Sequence, residues 1–163
     1  MKLTSEELKK LFSYVDGKLF WNVRPSKRIR VGDEAGSISI YGYRQVCISR
    51  KTYFTHRLIF MMFNGYLPKI VDHIDRDTSN NRIENLREVS AVQSSYNRGL
   101  QSNNTSGIKG VTWHRHYKKW QVQLHIDKKY KYFGSFVDKE LAELVAIEAS
   151  NKYHKEFSCY ARQ

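Results

Sequence analysis

Within six positions of the chain, Asp72, Asp75 and Asp77 crowd three carboxylates around one imidazole, that of His73. Carboxylates this close repel one another unless solvent, basic neighbours or a bound cation compensate. An imidazole that titrates near neutral pH can take a proton from water, and a hard divalent cation prefers oxygen ligands. Proton abstraction beside a metal is therefore one chemistry open to this cluster. Read singly, the same residues have plainer uses. His73, on an apolar strand, fits a hydrogen-bonded core histidine, and Asp75 and Asp77 fit a solvated turn. Asn80 and Asn81 are turn formers that shape a loop. His56, in Thr55-His56-Arg57-Leu58, packs structurally or touches a phosphate.

These residues need elements to position them. Ile70-Val71-Asp72-His73-Ile74 reads as a short strand, and adjacent strand residues face opposite ways. Asp72 and His73 can then cooperate only where the strand end twists or a metal sits at its edge. Upstream, Thr4 and Glu7 form a capping box that starts a helix through Leu8, Leu11 and Phe12. A small β meander follows: residues 18–21, Gly36 to Ile40, Tyr43 to Ile48 and Thr52 to Phe54, with turns at Asp16-Gly17 and Tyr41-Gly42. His56 to Phe63 is a helical stretch ended by Asn64-Gly65 and Pro68. After an extended Arg87-Glu88-Val89, Ser90 and Gln93 cap a helix that runs to about Arg98.

Charge organises the chain as well. Its 163 residues carry a formal charge of +12, and 40% are hydrophobic, which is too apolar for a disordered tail. The middle, residues 55–98, is almost neutral between two basic flanks. Such an excess points to nucleic acid, whose phosphates it neutralises with release of counterions. No apolar run is long enough to span a bilayer. The start, Met1-Lys2-Leu3-Thr4, lacks the order of a secretory signal, so the product is expected to stay in the cytoplasm. Cys47 and Cys159 are too far apart for a CxxC pair and form no disulfide framework.

The run Val71-Asp72-His73-Ile74-Asp75, then Asn80-Asn81-Arg82-Ile83-Glu84-Asn85-Leu86-Arg87 and the Ser90 helix, resembles the HNH endonucleases with their ββα-metal core. The resemblance implies an α+β fold, a divalent cation (Mg2+ or Mn2+) on Asp72, His73 as general base and Asn85 orienting it. It also implies a second metal ligand on the last helix, where members commonly carry Asn or His directly after the position of Gln93. This chain has Ser94 there, with Asn97 one turn on as a substitute, and a weakened metal site is expected.

Farther on, residues 110–113, 119–126 and 131–136 read as three strands. Alternation places Trp120, Val122 and Leu124 on one face and Gln121, Gln123 and His125 on the other. Asp138 caps a helix with Ala142, Val145, Ala146, Ala149 and Tyr153 on one stripe. Residues 107–133 hold seven basic and one acidic side chain, whereas the helix is acidic. Gly110-Val111, Trp120 to Leu124 and Tyr132-Phe133-Gly134-Ser135-Phe136 with the Ala-rich helix resemble the Apetala/ethylene-response-factor type of DNA-binding domain. That resemblance implies a sheet laid in the major groove, with Lys109, Thr112, His114, His116, Gln121, Gln123, His125, Lys129 and Tyr132 facing DNA. Three histidines without nearby cysteines or carboxylates make a poor metal cluster.

The expected organisation is thus residues 1–54 as a helix and β meander, 55–98 as a nuclease core, 99–106 as a flexible linker and 107–160 as a DNA reader. The function expected is a metal-dependent endonuclease of double-stranded DNA, of homing or free-standing bacteriophage type. It would act as a monomer in a bacterial host cytoplasm, with Arg24, Lys27, Arg28 and Arg30 adding phosphate contacts. Two readings compete with it. One is a non-catalytic duplex-DNA-binding protein or regulator with a degenerate nuclease core, which metal-dependent nicking would separate. The other is an RNA binder, which competition between duplex DNA and RNA would separate.

Overall fold

The computed structural model describes residues 3–160. Its architecture is α+β, and the chain forms two compact units, Met1–Val89 and Ser90–Gln163.

The first unit opens with α1 (Ser5–Leu11). Thr4 Oγ1 accepts from the Glu7 N–H, and the Glu7 carboxylate accepts from the Thr4 N–H, so both bonds of the capping box form. The chain then turns straight into β1 (Phe12–Val15), a strand the hydrophobic pattern had merged with the helix. It pairs antiparallel with β2 (Lys18–Trp21), Phe12 opposite Trp21, with their rings 4.5 Å apart. A second sheet contains β3 (Ser37–Ile38), β4 (Arg44–Ile48) and β5 (Lys51–Phe54). β3 is shorter than the 36–40 stretch predicted because residues 39–42 leave the ladder as a turn.

Helix α2 (Thr55–Asn64) ends on Gly65, whose φ of 78° is the left-handed closure only glycine adopts cheaply. Leu58 and Ile59 of α2 join Leu8, Phe12 and Leu19 in a solvent-free core. The two-stranded sheet of β6 (Val71–His73) and β7 (Leu86–Glu88) adds Val71 and Leu86 to that core. Asp72 and its opposite residue Arg87 lie on the other side of the pleat.

The second unit begins with α3 (Ala91–Asn97), whose Ser90–Gln93 capping box also forms in full. Strands β8 (Val111–His114), β9 (Lys119–Ile126) and β10 (Lys129–Phe136) form an antiparallel sheet in the order β10-β9-β8. Helix α4 (Lys139–His154), capped by Asp138, covers one face. Val111, Val122, Ala142 and Ala146 meet in its core, the alanines letting helix and sheet approach closely.

The segment expected as a linker does not run free throughout. Asn104 Oδ1 accepts from the Gly107 N–H, Asn104 Nδ2 donates to the Ile108 carbonyl, and Ser106 is buried. Polar small residues here build a local turn rather than an unstructured tether.

Gly17 brings the β1–β2 hairpin close against the rest of the first unit. Its φ is 82°, and a Cβ there would lie 2.8 Å from the Arg82 backbone nitrogen and 2.9 Å from the Asn81 carbonyl carbon. Gly17→Ala is therefore expected to cost about 1–3 kcal/mol of stability. Urea unfolding checks this, and an unchanged midpoint would contradict the close approach.

Candidate functional site

His73 ends β6 with 5% of its surface exposed. Its Nε2 lies 2.8 Å from Asn81 Oδ1. An amide oxygen can only accept, so Nε2 carries the proton and Nδ1 holds the lone pair in the neutral ring. The partner expected for this imidazole was Asn85, and the structure corrects that. Both N–H groups of Asn85 go to the loop, one to Asp75 Oδ1 at 2.8 Å and one to the Asn80 carbonyl at 2.8 Å. Asn85 Oδ1 accepts from the Asp75 N–H at 3.0 Å. Asn85 thus holds the loop that carries Asn81, and Asn81 orients the His73 ring.

The two loop carboxylates are absorbed by the same turn. Asp75 accepts from Asn80, Asn85 and the Asp77 N–H, and Asp77 accepts from the Ser79 N–H and hydroxyl. Burial raises the Asp75 pKa, but the hydrogen bonds from Asn80, Asn85 and the Asp77 backbone outweigh it and leave it lowered. The Ser79 hydrogen bonds lower that of Asp77. These groups stay charged as structural acceptors, in keeping with a turn rather than a second metal site.

Asp72 faces away from the core, where Arg87 across the ladder donates to its Oδ2 from NH2 at 3.2 Å and from Nε at 3.3 Å. Among the described residues no group of three or more His, Cys, Asp or Glu is placed to cage a metal. Magnesium binds through as few as one or two carboxylates and completes its shell with water and substrate phosphate, and Asp72 would be the carboxylate offered to such an ion. Ser94 and Asn97 lie on α3 in the second unit, Asn97 buried and Ser94 partly so.

His56 lies near the start of α2, 6% exposed, its ring 4.9 Å from that of His73 and stacked on Phe54. Burial, then the charges of His73 and Arg57, push its pKa from 6.5 down to about 3. A ring that stays neutral cannot offer a cation to a phosphate, so His56 packs behind His73 as a wall. Tyr43 completes this aromatic surround, 5.5 Å from His56 and 6.1 Å from His73, and nothing in its local sequence pattern marks it out.

Arg24, Lys27, Arg28 and Arg30 occupy the exposed loop between β2 and β3. Arg24 donates to the Lys27 carbonyl at 2.7 Å, which folds the basic loop on itself.

In the second unit, the face of the sheet opposite α4 carries Thr112, His114, Gln121, Gln123 and His125. Register puts Tyr130 opposite His125 and Tyr132 opposite Gln123, so both tyrosines share that face. Three predicted members are placed elsewhere. Lys129 pairs with Ile126, so its parity belongs to the helix side. Lys109 donates from Nζ to the carbonyls of Ser95, Tyr96 and Arg98, satisfying the end of α3. His116 stands in the β8–β9 turn, edge-on to Tyr117. Arg115, Lys118, Lys128 and Lys129 gather at the two hairpin ends, leaving the middle of the face polar and aromatic.

Comparison with known proteins decides the family. The model of an HNH endonuclease family matches residues 53–96. Protein 3.8 of Escherichia phage T7 is 32% identical over 93 residues, which is 56% of this chain and 74% of the phage protein. The chain belongs to the family of this phage protein and carries an HNH endonuclease-type domain. No solved structure matches it. The HNH match contains His56, Asp72, His73, Asn81, Asn85 and Ser94 and stops one residue before Asn97. Nothing in the comparisons supports the Apetala-type resemblance of residues 107–160, which rests on its strand and helix arrangement alone. No helix among the described residues is long and apolar enough to cross a membrane.

The neutral His56 makes the HNH domain sensitive to acid. Its folded pKa lies below its unfolded value of 6.5, so its stabilising contribution is complete above pH 6.5 and shrinks as pH falls toward 3. The slope is about 1.4 kcal/mol per pH unit across that window. His56→Phe should flatten the fall in urea midpoint between pH 7 and 4.5 relative to wild type. Parallel pH profiles for the two proteins would show that His56 is protonated in the fold.

Proposed function

We propose that this HNH protein is a divalent-metal-dependent endonuclease of double-stranded DNA, in which the first unit cuts and the sheet of the second unit reads. One observation carries the cutting role. Within the segment that matches the HNH endonucleases, the Asn81 bond fixes the proton of His73 on Nε2 and leaves Nδ1 basic. That nitrogen takes the proton of the water that attacks the scissile phosphorus. His56 and Tyr43 keep the imidazole oriented and out of bulk water. Asp72 would be the protein carboxylate for Mg2+ or Mn2+, with water and substrate phosphate filling the rest of the shell. Such a cation, when bound, stabilises charge on the phosphate and the leaving oxygen. Arg87 holds Asp72 in the meantime and prevents an uncompensated carboxylate.

On the reading side, the cationic hairpin ends suit phosphates, and the polar middle suits base edges in a groove wide enough for a β-ribbon. Gln123, exposed on the central strand, is the strongest reader, since an amide can pair bidentately with adenine. The phage relative fits a bacterial host as the place of action. One cutting site per chain fits a monomer that nicks.

Plasmid nicking with magnesium or manganese tests the cutting role. His73→Ala should lower the rate at least about 100-fold with duplex binding retained. Asp72→Ala should abolish nicking, and a nicking rate equal to that of wild type would overturn the metal assignment. For the reader, Gln123→Ala should cost about 1–3 kcal/mol at one base pair of the preferred site and leave the salt dependence of binding unchanged. An unaltered preference would move the reading surface elsewhere.

A further inference from the structure

The turn between β3 and β4 presents apolar side chains where turns ordinarily present polar ones. Ser39 accepts from the Gly42 N–H at 2.9 Å, which makes Ile40 and Tyr41 the two central residues of a β-turn. Gly, Pro, Asn, Asp and Ser dominate such positions. Here Ile40 is 92% exposed, Tyr41 76% and nearby Ile38 66%. Scattered surface hydrophobics need no explanation, but three within four positions at the tip of a hairpin do.

The tip is rigidly held, and it is held beside the candidate base. Ser39 N–H donates to the Tyr43 carbonyl at 2.8 Å, closing the loop below the turn. Thr78 Oγ1 donates to the Gly42 carbonyl at 3.3 Å, which ties the tip to the loop carrying Arg76, Asn80 and Asn81. Tyr43, the residue on which the turn closes, has its ring 6.1 Å from that of His73. A tip that only stabilised the fold would be packed against something. This one projects into solvent, from a chain of charge +12, next to the residues matched to an endonuclease.

We infer that Ile40 and Tyr41 form a wedge that enters a base step of duplex DNA beside the phosphate to be cut. This rests on the proposed nuclease reading and adds a residue-level device for presenting the strand. Apolar side chains inserted between base pairs unstack them and kink the duplex, and the bent backbone can then be brought to a fixed site. The wedge works because it cannot yield: the turn hydrogen bonds, the left-handed Gly42 and the Thr78 tie leave it little freedom. Tyr41 contributes a ring that stacks on an exposed base, and Ile40 contributes the branched edge that parts the pair.

The test uses the whole protein and duplexes in which 2-aminopurine is walked through the bound site, with EDTA present so that no cutting occurs. Wild-type binding should raise 2-aminopurine fluorescence several-fold at one step, and the I40A/Y41A double variant should lose the rise. With magnesium or manganese, the double variant should nick fully paired duplex at least tenfold more slowly. It should nick a duplex carrying a one-base bulge at that step within about twofold of wild type. Both substitutions are at exposed positions, and matching thermal melts confirm that the variant is folded. A flat fluorescence profile for bound wild type overturns the wedge, as does a double variant that nicks paired duplex at the wild-type rate. So does an equal loss on paired and bulged duplexes, which would point instead to a lost contact. If wild type nicks without a fluorescence rise, the wedge falls and the nuclease reading stands. If the rise appears but no metal supports nicking, the nuclease reading falls and the wedge survives as a way of gripping DNA. If no duplex is bound, both fall.

Discussion

The hydrogen bond between His73 and Asn81 is the contact on which the proposed chemistry of the first unit depends. A neutral imidazole has two tautomers, and only one leaves a given nitrogen basic. Asn81 chooses between them, and Asn81 has no rigid element of its own. It sits in an irregular stretch between β6 and β7, and its position follows from everything that pins this stretch. Asn85 spends both N–H groups on Asp75 and Asn80. Tyr14 Oη accepts from the Ile83 N–H at 3.1 Å, and Gly17 lets the β1–β2 turn press against residues 81 and 82. A hairpin near the start of the chain thereby helps decide the proton position on a histidine near its middle.

Asp72 shows the opposite arrangement. Its partner Arg87 stands directly across a two-stranded ladder, and both side chains are mostly shielded from solvent. A shielded carboxylate without a counter-charge is costly, so the ion pair with Arg87 compensates Asp72 and holds it in place. On the proposed reading, the same pair would set a threshold for a divalent cation, which would have to draw the carboxylate from a guanidinium already bonded to it. A site with a single protein carboxylate would do so most readily when substrate phosphate arrives with the metal. Binding of DNA and binding of the ion would then reinforce one another, limiting cutting in the absence of substrate.

Local rules carried much of this into view from the amino-acid sequence. The capping boxes at Thr4 and Ser90, the Gly65 stop and the alternation of Trp120 to His125 depend on residues a few positions apart, and each appears in the fold as expected. What stayed hidden needed tertiary partners. Asn81 reads as a turn former, and only the approach of His73 across the loop gives it a second role. Lys109 reads as one more cation of a DNA-binding sheet, yet three carbonyls at the end of α3 take its ammonium. Lys129 was placed on the DNA face by the Apetala-type resemblance, and pairing with Ile126 gives its place on the open face to Tyr130. β1 was lost because Phe12 satisfies the helical pattern and the strand pattern at once.

Those last displacements change the physical character of the second unit. A uniformly basic sheet would bind any polyanion and discriminate little, because phosphate contacts position a protein without carrying sequence information. Here the cations sit at the hairpin ends, while Thr112, Gln121, Gln123, His125, Tyr130 and Tyr132 occupy the open face. Its two ends are suited to straddle the phosphates that border a groove, and its middle can donate and accept hydrogen bonds inside it. The tyrosines give broad, stiff contact area with little rotamer freedom to lose, and the Tyr132 hydroxyl is held by Ser135 at 2.6 Å. If this surface reads DNA as proposed, affinity and choice of site would fall to different residues of it, and substitution at the hairpin ends would tune how tightly the chain holds DNA without changing which sequence it prefers.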